Sequence, residues 1–524
     1  MTKEAVEQKI ITVISLSSII NIQKLLSDIA EPIPNGFGFN SISKKKETID
    51  LFFIDGSILS DQELSYATRA SDIVVFLAHK QLDMTDKLRA IKKYLPSYLF
   101  FTFEKSDKKL FRKFVKAQFG DCEIYGIDMM IPKLNTMKVV PTKTCIRPYM
   151  IPMKAWTDGD FIMVEGVVRK GFLTDKIVCN GSYEFIIEEV YMEDGNLQGN
   201  ELNKFDESTI EYENTTNEQM EIEEEINENI ISEDENILSD SESNIDENEN
   251  SDANKSQEDD LITKYKDYKG IRSLATCNFV SKTYPPHYAN LKFIENQAAL
   301  EKAIVSQKSQ MGDNKRIVLK LSRCFETEFN PKIMVLFNKL NFEDQPTLLN
   351  LSFTSYTPIY SNKNILVDLG YRVIKVKPLI TPNYNHKVFK YKEFDSSGVL
   401  SFIGPITLLF GKGLIFSASN EIKFDKFMGI GNDCNSKDRV IVEEVLFEGS
   451  PLKIYKKYCT VRGMFNSKKE VLYYQNLGLF TKNHLNGMIK GPIGTHGIFK
   501  AYFNRPVNHG LKIYMAVYKR IFPQ

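Results

Sequence analysis

Residues 489–503 read IKGPIGTHGIFKAYF and put three glycines, one histidine and two lysines into fifteen positions. Glycine-rich loops let backbone amides wrap a phosphate, and histidine is the common general base and metal ligand. Neither chemistry is complete here. His496 has no second histidine, cysteine or nucleophile beside it, so catalysis and metal binding are not expected. Gly491, Gly494 and Gly497 are expected to serve tight backbone geometry at a barrel edge. Lys490 and Lys500 remain as candidates for contact with RNA. Elsewhere the chain has no G-x-G-x-x-G, G-x-S-x-G or H-E-x-x-H, and its six histidines are scattered singly. The seven cysteines lie at least 23 positions apart, which excludes C-x-x-C and zinc-knuckle spacing and reads as free thiols. No metal and no cofactor is expected.

The basic stretches offer more. SKKKE (43–47), with Lys44, Lys45 and Lys46, is expected on the loop before the second strand. In KSDKKLFRKFVK (105–116), Lys108, Arg112 and Lys116 fall at i, i+4 and i+8, with Lys109 and Lys113 beside them. Leu110, Phe111, Phe114 and Val115 can face a sheet, leaving a basic face suited to phosphate backbones and equally compatible with plain solvation. KIYKKYCTVRGMF (453–465) interleaves Lys453, Lys456, Lys457 and Arg462 with tyrosine and phenylalanine. That interleaving suits base stacking, although aromatics alternating toward a core would look the same.

The elements that must hold these residues follow from length, charge and periodicity. A chain of 524 residues is too long for one core, so three or four domains are expected. No apolar run approaches the roughly 18 residues of a membrane helix, and IITVISLSSII (10–20) lacks the flanks of a signal peptide, so the chain reads as intracellular, with no membrane partner. The formal net charge of −1 conceals two opposed parts. Residues 191–260 hold 25 acidic residues against Lys204 and Lys255, whereas the remainder carries 65 basic against 43 acidic, a net of +22. The acidic stretch is too polar to fold alone and is expected to be a disordered insertion in a β domain. A basic body of this kind usually meets nucleic acid.

Strand-like and helical segments alternate through the first 130 residues, predicting a parallel sheet with helices on both faces. The predicted helices cover 21–30, 61–70 with Asp61 as N-cap, 84–95 and 106–119. From about residue 146 short alternating strands predominate, predicting β-barrels, with one helical stretch at 290–307. An α/β domain followed by β-barrels is the outline of a translational GTPase. Yet the segment after the first strand, LSSIINIQKLL (16–26), has no glycine and no Lys-Ser/Thr pair, so a phosphate loop is absent. IDGSIL (54–59) begins like a D-x-x-G switch without its glycine. FEKSD (103–107) stands where a guanine-specifying N-K-x-D would, with Lys105 and Asp107 matching and Glu104 replacing the asparagine. These three residues form a vestigial guanine motif or an ordinary strand-to-helix turn.

EGSPLKIYKKYCTVRGMF (448–465), KGPIGTHGIFKAYF (490–503) and MAVYKRIFP (515–523) resemble, in order and spacing, the end of the Tsr/Bms family of ribosome-biogenesis factors. IRPYMIP (146–152), GVVRKGFLTDKIVCNGSYEFIIEEVYMED (166–194), YPPHYANLKFIEN (284–296) and VDLGYRVIKVKPLI (367–380) resemble its middle portion. Length and the missing phosphate loop favour the Tsr branch, whose members are GTPase-like without a usable nucleotide site. Gly491 stands where relatives tend to carry an acidic residue before the proline. The resemblance implies a translational-GTPase shape on the pre-40S particle, needed for processing of 20S precursor rRNA and associated with U3 snoRNA-related machinery. It implies contacts with precursor small-subunit rRNA, ribosomal proteins and other assembly factors, and a block to premature translation-factor or 60S joining. A monomer is expected, in the nucleus and nucleolus, shuttling to the cytoplasm. The alternative is an active, Bms-like GTPase with a divergent pocket. The expected organisation is a GTPase-like domain at 1–140, a first β-barrel at 141–190 and 261–310 interrupted by the insertion at 191–260, a second β-barrel at 311–395, and a C-terminal β-barrel at 396–524.

Overall fold

The computed structural model describes residues 7–79, 91–138, 147–198, 261–271, 284–294, 316–381, 397–407, 413–418 and 424–524. A few turn positions within these ranges are excepted (18, 35, 46, 93–94, 105–106, 170–173, 193–194 and 325–328), and Tyr212–Glu213 and positions 298, 299 and 302 are described in addition.

The first sheet contains β1 (Glu7–Ser15), β2 (Glu31–Pro32), β3 (Phe39–Lys45), β4 (Glu47–Asp55), β5 (Ile73–Ala78), β6 (Ser97–Thr102) and β7 (Ile124–Gly126). Their order is β2-β3-β4-β1-β5-β6-β7, and β4, β1, β5, β6 and β7 run parallel. The continuous apolar strands follow from burial on both faces. Ile10, Phe52, Val74 and Phe100 point to one face, where α2 (Asp61–Ala70) and α3 (Asp107–Phe119) pack with Leu64 and Phe111. Ile11, Phe53, Val75 and Phe101 point to the other, covered by α1 (Ile22–Ile29) and α4 (Met130–Thr136) through Leu26 and Leu134.

Two local expectations are corrected. Lys44 and Lys45 lie in β3, which pairs antiparallel with β4 (Lys44 opposite Thr48, Lys45 opposite Glu47), and not on a loop. A strand as polar as FNSISKK lacks the apolar run that marks its neighbours, and only the hairpin register reveals it. The cap of α2 is Ser60, not Asp61: its hydroxyl accepts from Glu63 N while Glu63 reaches back, a capping box that places Asp61 in the first turn. The expected helix at 84–95 lies mostly outside the described residues.

A second sheet contains β8 (Tyr149–Asp158), β9 (Phe161–Arg169), β10 (Lys176–Cys179), β11 (Tyr183–Met192) and β12 (Gly195–Gln198). A small ladder then joins β13 (Tyr212–Glu213) to β14 (Phe293–Ile294). Farther along the chain, β15 (Arg316–Arg323) and β16 (Leu336–Lys339) return to the second sheet, and β10 pairs with both β11 and β16, closing six strands into a ring. The third sheet contains β17 (Pro346–Ser355), β18 (Ile365–Asp368), β19 (Val373–Val376), β20 (Leu379–Thr381), β21 (Ser397–Pro405), β22 (Gly413–Ala418) and β23 (Phe424–Ser436). Last comes a closed six-stranded barrel of β24 (Ile441–Tyr455), β25 (Tyr458–Arg462), β26 (Gly478–Thr481), β27 (Asn486–Pro492), β28 (Phe499–Phe503) and β29 (Ile513–Ile521), in the order β24-β25-β28-β27-β26-β29.

Strand pairing divides this region differently from the expected boundaries. Residues 316–339 complete the second sheet, not the third, because Leu319 and Leu321 alternate into its core opposite Val164 and Ile162. Residues 397–436 complete the third sheet. Residues 261–269 belong with the C-terminal barrel. There the short helix α5 (Leu261–Lys264) and the turn after it pack Leu261 and Tyr265 on the barrel core, and Lys269 exchanges backbone hydrogen bonds of 2.8 and 2.9 Å with Tyr518. Partners this distant are set by register, which composition does not encode. Within the span expected to be unstructured, β12 forms a hairpin with β11 and β13 pairs with β14, since main-chain pairing needs no apolar core; the rest of 199–260 lies outside the described residues. The span of the expected helix at 290–307 begins instead with the end of a 3-10 turn (Pro286–Asn290) and β14; positions 298, 299 and 302 are helical, and the rest lies outside the described residues. No helix among the described residues is long and apolar enough to cross a membrane.

Buried polar links join the units. Arg69 of α2 donates to Asp368 at the end of β18 at 2.5 and 3.3 Å and to Gly370 O at 2.9 Å, and Tyr66 OH donates to Asp368 at 3.0 Å. Arg147 pairs with Glu343 where the second and third sheets meet, both side chains buried. Gln62 of α2 donates to Asn180 O at 2.7 Å.

Candidate nucleic-acid interface

The position of a nucleotide site in an α/β domain of this kind is the turn between β1 and α1. Three amides that a phosphate loop would aim outward are used within the protein here. Leu16 N donates to Leu77 O at 2.8 Å, Ser17 N to Ser15 Oγ at 3.1 Å, and Ile20 N to Ser17 O at 3.4 Å. The Leu16 and Ser17 side chains are buried. Asn21 caps α1 by accepting from Lys24 N. Asp55, at the switch-like IDGSIL, is buried and accepts from Ser57 N at 2.8 Å and Ser57 Oγ at 2.6 Å. Of the three guanine-motif candidates, Glu104 is exposed on the turn after β6, Asp107 opens α3, and Lys105 lies outside the described residues.

The α3 candidates are brought together. Phe111 and Val115 are buried against the sheet while Lys108, Lys109, Arg112, Lys113 and Lys116 all lie on the outer side of the helix, with Lys116 3.1 Å from the exposed Asp121. Lys44 and Lys45 stand on β3, on the far side of the sheet order from α3's neighbours β6 and β7, and Lys46 lies outside the described residues.

The C-terminal candidates share one wall of the closed barrel. Cys459, Val461, Phe499, Ala501, Phe503 and Ile489 point into its core. The alternating positions therefore face out: Tyr458 and Arg462 on β25, Lys500 and Tyr502 on β28, and Met488 and Lys490 on β27. This resolves the ambiguity of the interleaved stretch, whose Phe465 is core while Tyr455 and Tyr458 are 62% and 40% exposed. Across the strands, Tyr455 pairs with Tyr458, Tyr458 with Tyr502, and Tyr502 with Met488. Nearby on the same wall, Lys453 pairs with Thr460 and Thr460 with Lys500. The Lys500 ammonium stands 4.9 Å from the Tyr458 ring centre, Lys490 stands 5.8 Å from that of Tyr502, and the two tyrosine rings are 5.0 Å apart. Lys456 and Lys457 form the β24–β25 turn, with Lys456 at φ 51°. None of these cations, nor Arg462, has a carboxylate partner among the described residues.

The tyrosines are not distinguished in the sequence from core aromatics, although one signal marks the whole wall. Residues 449–524 hold 13 Lys and Arg and a single carboxylate side chain, Glu470. That carboxylate is buried, accepting from Leu261 N, Asn466 N and Ser467 N at 3.0, 2.6 and 3.3 Å, so it offers no negative charge to the surface. From residue 449 onward a polyanion meets no exposed carboxylate side chain; the exposed Glu443 and Glu448 stand earlier on β24, where Glu448 pairs with Lys512.

The GPIGTHG loop is the tip of the β27–β28 hairpin, where Ile493 N donates to Ile498 O at 2.6 Å and Lys468 N to Thr495 O at 3.2 Å. Because the barrel is closed, the glycines sit at a turn and not at an edge. Gly497 has φ 64°, and an added Cβ would lie 2.1 Å from Phe465 O. His496 is exposed on this tip.

Residues 252–523 match the family described as 40S ribosome biogenesis protein Tsr1 and BMS1 C-terminal. Among curated relatives, the chain is 28% identical over 289 residues to the ribosome biogenesis protein tsr1 of Schizosaccharomyces pombe, covering 50% of this chain and 36% of that protein. It is 25% identical over 282 residues to the human pre-rRNA-processing protein TSR1 homolog, covering 50% of this chain and 35% of that protein. The matched stretch thus spans about a third of each relative's length. In three dimensions the chain is similar to translation elongation factor SelB from Methanococcus maripaludis in its apo form, with TM-score 0.52, 11% identity, 99% of this chain and 100% of that one covered. The same factor with a GTP analogue matches with TM-score 0.50 over the same shares. The architecture is that of a translational GTPase.

Proposed function

We propose, for a chain that belongs to the Tsr1 and BMS1 C-terminal family of 40S ribosome biogenesis proteins, a non-catalytic role on the pre-40S particle. It acts as a placeholder with the outline of a translational GTPase, serving 20S precursor-rRNA processing and excluding translation factors and the 60S subunit by occupying their docking site. Steric exclusion requires shape and anchorage and no hydrolysis. The observation that carries this reading is the retention of the GTPase architecture around a β1–α1 turn in which the amides of Leu16, Ser17 and Ile20 are consumed internally by Leu77, Ser15 and Ser17. The cations of α3 and of the barrel wall supply anchorage on rRNA phosphates. Its partners are precursor small-subunit rRNA, ribosomal proteins and other assembly factors. It works as a monomer in the nucleus and nucleolus and leaves with the particle for the cytoplasm.

Two measurements test this. Titration with mant-GTP is expected to give no saturable binding in the micromolar range, and binding abolished by Asp107→Ala would overturn the non-catalytic reading. Sedimentation of tagged protein from its native cell is expected to place it in 40S-sized fractions containing precursor 18S rRNA. Sedimentation only as free protein at low salt would overturn the pre-40S role.

A further inference from the structure

We infer that the outer wall formed by β24, β25, β28 and β27 is a stacking platform for unpaired RNA, which crosses the strands with its bases on a tyrosine row and its phosphates on the flanking lysines. This rests on the RNA-binding reading above and adds which form of RNA the barrel takes, and where.

The geometry has three parts. Tyr455, Tyr458, Tyr502 and Met488 are successive cross-strand partners, so their side chains form one row perpendicular to the strands. With neighbouring strands about 4.8 Å apart, a row over four strands is about 14 Å long. That length accommodates two or three bases, as aromatics on other RNA-binding sheets do. Cations flank the row on both sides: Lys453, Lys500 and Lys490 on one, the Lys456–Lys457 turn on the other. Tyr455 and Met488, at the two ends of the row, are 62% and 49% exposed, a cost in water that a stacked base would remove.

These features select the partner. A duplex presents phosphates and a shallow groove and keeps its bases stacked on one another, so it would engage the lysines and leave the tyrosines idle. An unpaired strand uses both, and stacking tolerates any base, so the platform is expected to be sequence-tolerant. An acidic protein surface would also satisfy the lysines but has no flat apolar face for the tyrosines.

The test uses the full chain with a fluorescein-labelled 12-nucleotide oligo(U) RNA and a 12-base-pair RNA duplex, read by anisotropy across a salt series. The single strand is expected to bind more tightly. Tyr458→Ala and Tyr502→Ala are each expected to weaken it about tenfold with little change in salt slope, and to leave duplex binding unchanged. Lys453→Ala with Lys500→Ala is expected to lower the salt slope for the single strand by about 1.4, roughly 0.7 for each phosphate no longer neutralised. Tyr455→Ala, on the exposed hairpin, provides a stacking variant with little risk to the fold, and thermal melts check all four. Equal binding of strand and duplex, with the tyrosine variants matching the wild type, would overturn the platform while leaving RNA binding by the lysines intact. No binding of either RNA by the wild type would overturn the RNA-binding reading itself. Competition by polyglutamate as effective as that by unlabelled oligo(U) would overturn the choice of RNA as partner.

Discussion

Replacing Asp368 by alanine would release the contact that holds α2 of the first domain to the third sheet. Asp368 is fully buried and accepts four hydrogen bonds, from Tyr66 OH, both terminal nitrogens of Arg69, and Gly370 N. Its loss strands the Arg69 guanidinium in a buried site with Gly370 O, at 2.9 Å, as a remaining acceptor. Removing one partner of a buried ion pair costs about 3–5 kcal/mol, chiefly because the other charge is left uncompensated. Removing both charges in Arg69→Met with Asp368→Leu should therefore restore most of the stability, with a net cost of about 1 kcal/mol or less. The assay is urea unfolding followed by circular dichroism, combined with the labelling rate of Cys179. This buried thiol is two residues from Gly181, whose Cα faces the Tyr66 ring and whose carbonyl accepts from Val373 N. Opening of this junction should expose Cys179 before global unfolding, so the two probes should separate in Asp368→Ala and coincide in the wild type. A cost under about 1 kcal/mol with unchanged labelling, or a double variant no more stable than the single one, would refute the reasoning. Since α2 follows the strand that ends in the switch-like IDGSIL, this contact ties the segment after that strand to the third sheet.

Two further perturbations probe the barrel and the charged cluster around Asp344. Gly497→Ala should destabilise the chain by about 1–3 kcal/mol, because alanine is strained at φ 64° and its Cβ would strike Phe465 O; a thermal melt shifted no more than that of Gly494→Ala, whose added Cβ meets open space, would contradict it. Burial pushes the Asp344 carboxyl up, but Lys339 and Lys176 outweigh it and hold its pKa below the usual value of 3.8. A lowered folded pKa contributes stability that is complete above the unfolded value and lost as pH falls through the folded one. Urea midpoints should therefore decline below about pH 4 less steeply in Asp344→Asn than in the wild type, and parallel declines would exclude the cluster as an acid-sensitive contact.

How much of this can be read from the sequence varies with the range of the interaction that decides each feature. The parallel sheet is legible because strands buried on both faces must be apolar throughout, as IVVFLA of β5 is. The basic face of α3 is legible because helix period alone separates Phe111 and Val115 from Lys108, Arg112 and Lys116. The cap of α2 is not, because Ser60 and Asp61 are adjacent and either residue type can cap; only the extended backbone at Ser60 with the reciprocal Glu63 contact distinguishes them. The polar β3 and the paired tip of the acidic span, β12, escape a reading by composition because main-chain pairing leaves no signature in hydropathy.

By itself, the sequence determined the order of the α/β and β parts, the absence of a phosphate loop, the opposition of an acidic stretch to a basic body, and the near-absence of carboxylates after residue 448. These are properties of local composition and short periods, and chemistry that needs particular residues close in the chain can be excluded from them. Only the tertiary structure decided that β15 and β16 close the second sheet, that the chain after the acidic stretch returns to the C-terminal barrel, and that Asp368 meets Arg69 across 299 positions. It also decided that Tyr455, Tyr458, Tyr502 and Met488 form one row. Each depends on the register between distant strands, and a shift of one residue would turn those side chains from the surface into the core.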